Sequence, residues 1–87
     1  MTERQIAIGH RLGLHARAAA KLVQLTRDYE SEIVLLRNDG EKSIEADARS
    51  ILAILLLAAG YGTTILVRAF GGDEVQAVEC ICEYLKG

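Results

Sequence analysis

A chain of 87 residues buries roughly 60–65% of the surface it exposes when unfolded, enough for one modest core and too little for a deep, many-walled active site. Hydrophobic residues make up 51% of it, aromatics 5% and charged residues 25%, a composition that excludes a disordered segment and predicts a mostly aliphatic core. The net charge of −2 at pH 7 excludes the clustered basic excess of a general nucleic-acid binder.

Gln5 to Ile8 alternates and predicts a first strand. The start, MTERQIAI, lacks the basic residues and long apolar run of a signal peptide. Gly9 to Leu14 is a loop with two glycines, in which His10 is expected to be solvent-exposed and has no assigned role. A helix follows over Ala16–Tyr29, with Ala19, Leu22, Val23 and Thr26 on its inner face and Arg17, Lys21, Gln24 and Asp28 elsewhere. Glu32–Arg37 predicts a strand, Asn38-Asp39-Gly40 a hairpin turn and Lys42–Ala46 the return strand. Ser50 has a hydroxyl suited to capping a second helix, Ile51–Ala59, which Gly60 and Gly62 are expected to stop. That apolar run is about half the length of a membrane span. Thr63–Phe70 is a β-branched strand, and Gly71-Gly72 turns the chain. Asp73 and Gln76 have the spacing of a capping box. Val75, Val78, Ile81, Cys82 and Leu85 are expected to form the buried stripe of the last helix. Cys80 and Cys82 stand two apart on it, a spacing that suits neither a disulfide nor a shared metal.

The order is β-α-β-β-α-β-α within one domain, 1–87. It predicts an α+β open-faced sandwich: a four-stranded antiparallel sheet with three helices on one face. The other face would meet water, which fits Gln5 and Arg68 on the strands.

The segment Gly13-Leu14-His15-Ala16-Arg17 carries the chemistry. A neutral imidazole nitrogen is a competent nucleophile for phosphorus. At a helix start, the unpaired backbone amides of Ala16 and Arg17 would hold phosphoryl oxygens, and the Arg17 guanidinium would add charge-assisted hydrogen bonds. On the motif alone, His15 as a plain cap or loop residue stays open beside the nucleophile.

The stretches Leu12-Gly13-Leu14-His15-Ala16-Arg17, Leu35-Leu36-Arg37-Asn38-Asp39 and Glu45-Ala46-Asp47-Ala48-Arg49-Ser50-Ile51 resemble the HPr family of the bacterial phosphotransferase system. The resemblance covers essentially the whole chain, and the Glu-Ala run before Ser50 looks closer to the nitrogen-related branch, NPr, than to the sugar branch. It implies a phosphocarrier, not a turnover enzyme. His15 would be phosphorylated on Nδ1 by enzyme I, with phosphoenolpyruvate as ultimate donor, and would pass the group to an EIIA-type protein. Arg17 would steady the phosphoryl group. Ser50 matches the position that an HPr kinase/phosphorylase modifies in some members. Ile51, Leu52 and Leu55 match the docking surface beside the histidine, and Lys21 would extend a basic rim toward an acidic partner. The family usually has proline where this chain has Ala18. That puts loop rigidity and partner choice at issue, more than the function.

No cofactor, metal, nucleic acid or membrane insertion is expected, and the protein should be a cytoplasmic monomer. Three other readings compete. A purely regulatory partner protein of the same fold would need no nucleophile. A small-ligand-binding α+β module would need a pocket and leave His15 beside Arg17 without a role. A metal-handling module lacks a close pair of good ligands.

Overall fold

Alternation decides the sheet. Within residues 64–70, Ile65, Val67 and Ala69 are fully buried while Leu66 and Arg68 between them stay half-exposed, as a strand with one wet face requires. The computed structural model describes residues 1–87 apart from the side chain of Asp39. Its elements are β1 (Thr2–Ala7), α1 (Ala16–Thr26), β2 (Glu32–Asp39), β3 (Lys42–Asp47), α2 (Ile51–Leu56), β4 (Thr64–Phe70) and α3 (Glu74–Lys86).

The four strands form one antiparallel sheet in the order β1-β4-β2-β3. The last strand in sequence is thus inserted between the first two. Register sorts the residues by face. Ile6 opposes Ile65, Leu35 opposes Val67, and Leu35 also opposes Ala46, which builds the apolar side. On the other side Glu3 opposes Arg68, which opposes Val34, which opposes Asp47. There Arg68 reaches Glu3 at 2.9 Å, and Gln5 is exposed as expected.

The helices close the apolar side. Ala18, Ala19, Leu22, Val23 and Thr26 of α1 are buried, as are Ile54 of α2 and Leu57 beyond it. From α3 come Ala77, Val78, Ile81, Cys82 and Leu85. Val75 is not part of that stripe and is 52% exposed. Cys82 is buried and Cys80 half-buried, both as free thiols. Burial pushes the Cys82 thiol above its ordinary range.

Several ends differ from the sequence-based expectation. β1 begins at Thr2, and α1 stops at Thr26 instead of Tyr29. The hairpin turn falls on Gly40 and Glu41, because Asp39 already pairs with Lys42. Gly40 takes φ +68 at the first central position, where such two-residue turns favour glycine. α2 ends before its two glycines. Ala58 takes the left-handed conformation, with φ 51, and Arg37 Nη1 donates to Leu57 O at 2.8 Å and Ala58 O at 2.9 Å. A β2 side chain therefore satisfies carbonyls that glycine caps usually serve.

Asp73 makes no capping bond to its own helix. Its carboxylate accepts instead from Glu30 N at 2.9 Å, Ser31 N at 3.0 Å and the Ser31 hydroxyl. The Ser31 hydroxyl, then the Glu30 amide, hold this carboxyl below its ordinary 3.8. The folded state thus binds the proton less tightly than the unfolded chain. The stabilisation is full above the ordinary carboxylate range and fades as pH falls through the lowered folded value. Asp73→Ala should lower the melting temperature at pH 7, and that difference from the parent should shrink as thermal melts are taken below the ordinary carboxylate range.

Candidate functional site

The path of the chain into α1 is set by backbone. Ile8 N donates to Thr63 O at 2.9 Å, and Gly9 N to Leu85 O at 2.9 Å. Gly13 N closes a turn onto His10 O at 2.9 Å, and Leu14 N donates to Ala59 O at 2.9 Å. A Cβ on Gly9 would lie 1.7 Å from Lys86 O, and one on Gly13 would lie 2.6 Å from Ala59 O. Both glycines are therefore places where two backbones meet. Gly13 also needs its φ of +68, which L side chains rarely adopt. His10, expected in solvent, is half-buried, and its ring packs on Tyr84 with centroids 4.9 Å apart.

His15 follows as the N-cap of α1, with extended backbone (φ −76, ψ 178) and no side-chain cap bond. Its imidazole is thus not used to close the helix. The first helical bond runs from Ala19 N to His15 O at 2.8 Å. The amides of Ala16, Arg17 and Ala18 are those that a helix leaves unpaired. The motif alone points to the first two. The third follows once the helix start is fixed at Ala16. His15 is half-buried, Ala16 and Arg17 are exposed, and Leu14 anchors the turn with its side chain in the core. Arg17 makes no hydrogen bond or ion pair among the described residues. Lys21 is exposed four residues further on, on the same side of α1.

The bond from Leu14 to Ala59 brings the far end of α2 beside the start of α1. Ile51 is 42%, Leu52 67% and Leu55 37% exposed, so the expected docking residues are surface residues. Ser50 caps α2, its hydroxyl accepting from Ala53 N at 3.2 Å, and stands at the opposite end of α2 from Ala59. Three exposed apolar residues were missed: Leu12, Leu56 and Tyr61. Leu56 was legible, since a short helix that is apolar all round must expose something. Leu12 and Tyr61 were not, because each flanks a backbone crossing that exists only in the fold.

Charge is unevenly spread along the chain. None of the 12 acidic residues lies in segments 8–27 or 48–72. Those segments supply α1, α2, β4 and their loops, with Arg11, Arg17, Lys21 and Arg27 in the first. Amides that a helix leaves unpaired, beside a guanidinium with no partner among the described residues, can hold an anion, and an uncommitted imidazole can act there as a nucleophile. Among the described residues no group of His, Cys, Asp or Glu could hold a metal, and no helix is long and apolar enough to cross a membrane.

Known proteins resemble this chain in sequence and fold. The family model described as "PTS HPr component phosphorylation site" matches residues 2–87. The phosphocarrier protein HPr of Cupriavidus necator is 40% identical over 81 residues, covering 93% of this chain and 86% of that one. The phosphocarrier protein NPr of Shewanella violacea is 44% identical over 80 residues, covering 92% and 84%. The crystal structure of HPr-C-His from Thermoanaerobacter tengcongensis superposes with a TM-score of 0.85 at 31% identity, covering 99% of this chain and 92% of that one.

Gly13→Ala tests the backbone crossing. It should cost about 1–3 kcal/mol in urea unfolding, and amide shifts should move at both Leu14 and Gly60.

Proposed function

The chain belongs to the HPr family of phosphotransferase-system phosphocarriers, and from that premise we propose that His15 accepts a phosphoryl group from enzyme I and delivers it to an EIIA-type protein. The observation that carries this reading is the unused imidazole of His15 at the head of α1, beside three amides that the helix leaves unpaired.

The Nδ1 lone pair attacks phosphorus as the bond from phosphorus to the donor's leaving atom breaks, and that atom keeps the electron pair of the broken bond. Nε2 keeps its proton, so the phosphorylated ring is cationic and remains a good donor. The Ala16, Arg17 and Ala18 amides face the equatorial oxygens, and Arg17 adds a charge that follows the group through transfer. No small molecule is turned over. The partner closes the site, because an 87-residue domain has no walls of its own for it.

Docking falls to Ile51, Leu52 and Leu55, with Lys21 on the rim, and the free charges of Arg17 and Lys21 favour an acidic partner. A phosphoryl group placed on Ser50 by an HPr kinase/phosphorylase would set a dianion beside Ile51 and Leu52. It would repel that partner without touching His15. The protein works as a cytoplasmic monomer. Offering both a nitrogen-type and a sugar-specific EIIA identifies the branch by which one accepts the group.

Incubation with enzyme I and phosphoenolpyruvate should add one acid-labile phosphoryl group by intact mass, with none on His15→Ala. A stable serine ester, or no gain with a competent enzyme I, would remove the carrier reading in favour of a regulatory partner. Arg17→Ala should slow transfer about 100-fold, whereas Leu52→Asp should raise KM about tenfold and spare kcat. Stopped-flow or quench-flow transfer assays separate the two.

A further inference from the structure

The loop that delivers His15 is bound by backbone at Gly9 and Leu14. Between them a single side chain ties it down. His10 Nε2 lies 2.6 Å from Tyr84 O, in the last turn of α3. A carbonyl can only accept, so Nε2 carries the hydrogen, which both the neutral Nε2–H ring and the cation supply. The ring also packs on Tyr84, tilted by 48°. Among the described residues no other side chain of the loop 9–14 makes a hydrogen bond.

His10 is also where the turn begins, since its carbonyl accepts from Gly13 N. The direction of Gly13-Leu14-His15 is thus set at one end by His10 on α3 and at the other by Leu14 on Ala59. Arg11 and Leu12 between them are exposed, and their side chains make no hydrogen bond among the described residues.

We infer that His10 is a positioning residue for phosphoryl transfer: its bond to the end of α3 fixes the turn that aims His15. The inference rests on the carrier reading above. The His10 ring is engaged with Tyr84 of α3, not with the start of α1 or with the docking residues named on α2. Its loss should therefore fall on the rate of the bound complex and leave affinity alone.

The test is transfer from phosphorylated enzyme I to the full chain, with kcat and KM measured for His10→Ala, His10→Gln and His10→Phe. Glutamine keeps an N–H donor at about the reach of Nε2, and phenylalanine keeps the ring without the donor. His10→Ala and His10→Phe should lose about tenfold in kcat with KM unchanged, and His10→Gln should return to within about twofold of the parent. In the two slow variants, backbone order parameters at Gly13 and Leu14 should fall from about 0.85 toward about 0.6, while those in the sheet hold. Parent kcat in His10→Ala, or equal rates in His10→Phe and His10→Gln, overturns the proposal. The second comparison serves even if the alanine variant does not fold. A parent chain that takes up no phosphoryl group overturns the carrier reading and this proposal together. A phosphorylated parent matched by all three variants overturns this proposal alone.

Discussion

The site depends on one steric constraint: the chain entering α1 passes between the ends of α2 and α3 with no room for a side chain at either crossing. Gly9 meets Lys86 and Gly13 meets Ala59, each at a separation that a Cβ would violate. Because backbone lies against backbone, the hydrogen bonds of Gly9 and Leu14 can form without competing side-chain contacts. Leu14 then drops into the core, and His15 is left as the first residue that is neither core nor turn. The position of the imidazole is a property of the packing of three helices, not of α1 alone.

This placement explains how so small a protein supports group transfer. On the reading proposed above, the start of α1 would provide the polarity and the Arg17 guanidinium, unpaired among the described residues, the charge. Nothing in the arrangement needs depth. The cost is incompleteness, since the water-excluding surface must come from elsewhere. The exposed leucines of α2 suit such a second surface.

Much of this was legible before any coordinates, where the signal was local. The alternation in residues 64–70 and the 3.6-residue spacing of Ala19, Leu22, Val23 and Thr26 specify their elements because each face has a different solvent. The head of α1 was legible because Gly13, His15 and Arg17 stand together in sequence. What failed was non-local. Asp73 looked like a cap for its own helix, yet Glu30 and Ser31, more than 40 residues away, offer donors that win. Val75 fits the helical period but sits at the edge of the buried stripe. His10 looked idle because its acceptor, Tyr84 O, is a backbone atom 74 residues on, and no pattern of residue types announces a carbonyl.

The end of α2 has a wider consequence. Its glycines do not stop it; Arg37, near the hairpin end of β2, does so by gripping the carbonyls of Leu57 and Ala58 while an alanine takes a left-handed conformation that L residues normally avoid. The stop signal for this helix is thus imported from the hairpin. Evolution in β2 and β3, remote from the histidine in sequence, acts on the same stretch of main chain to which Leu14 is tied. The main chain that receives Leu14 thus answers to a guanidinium from the sheet as much as to its own residues.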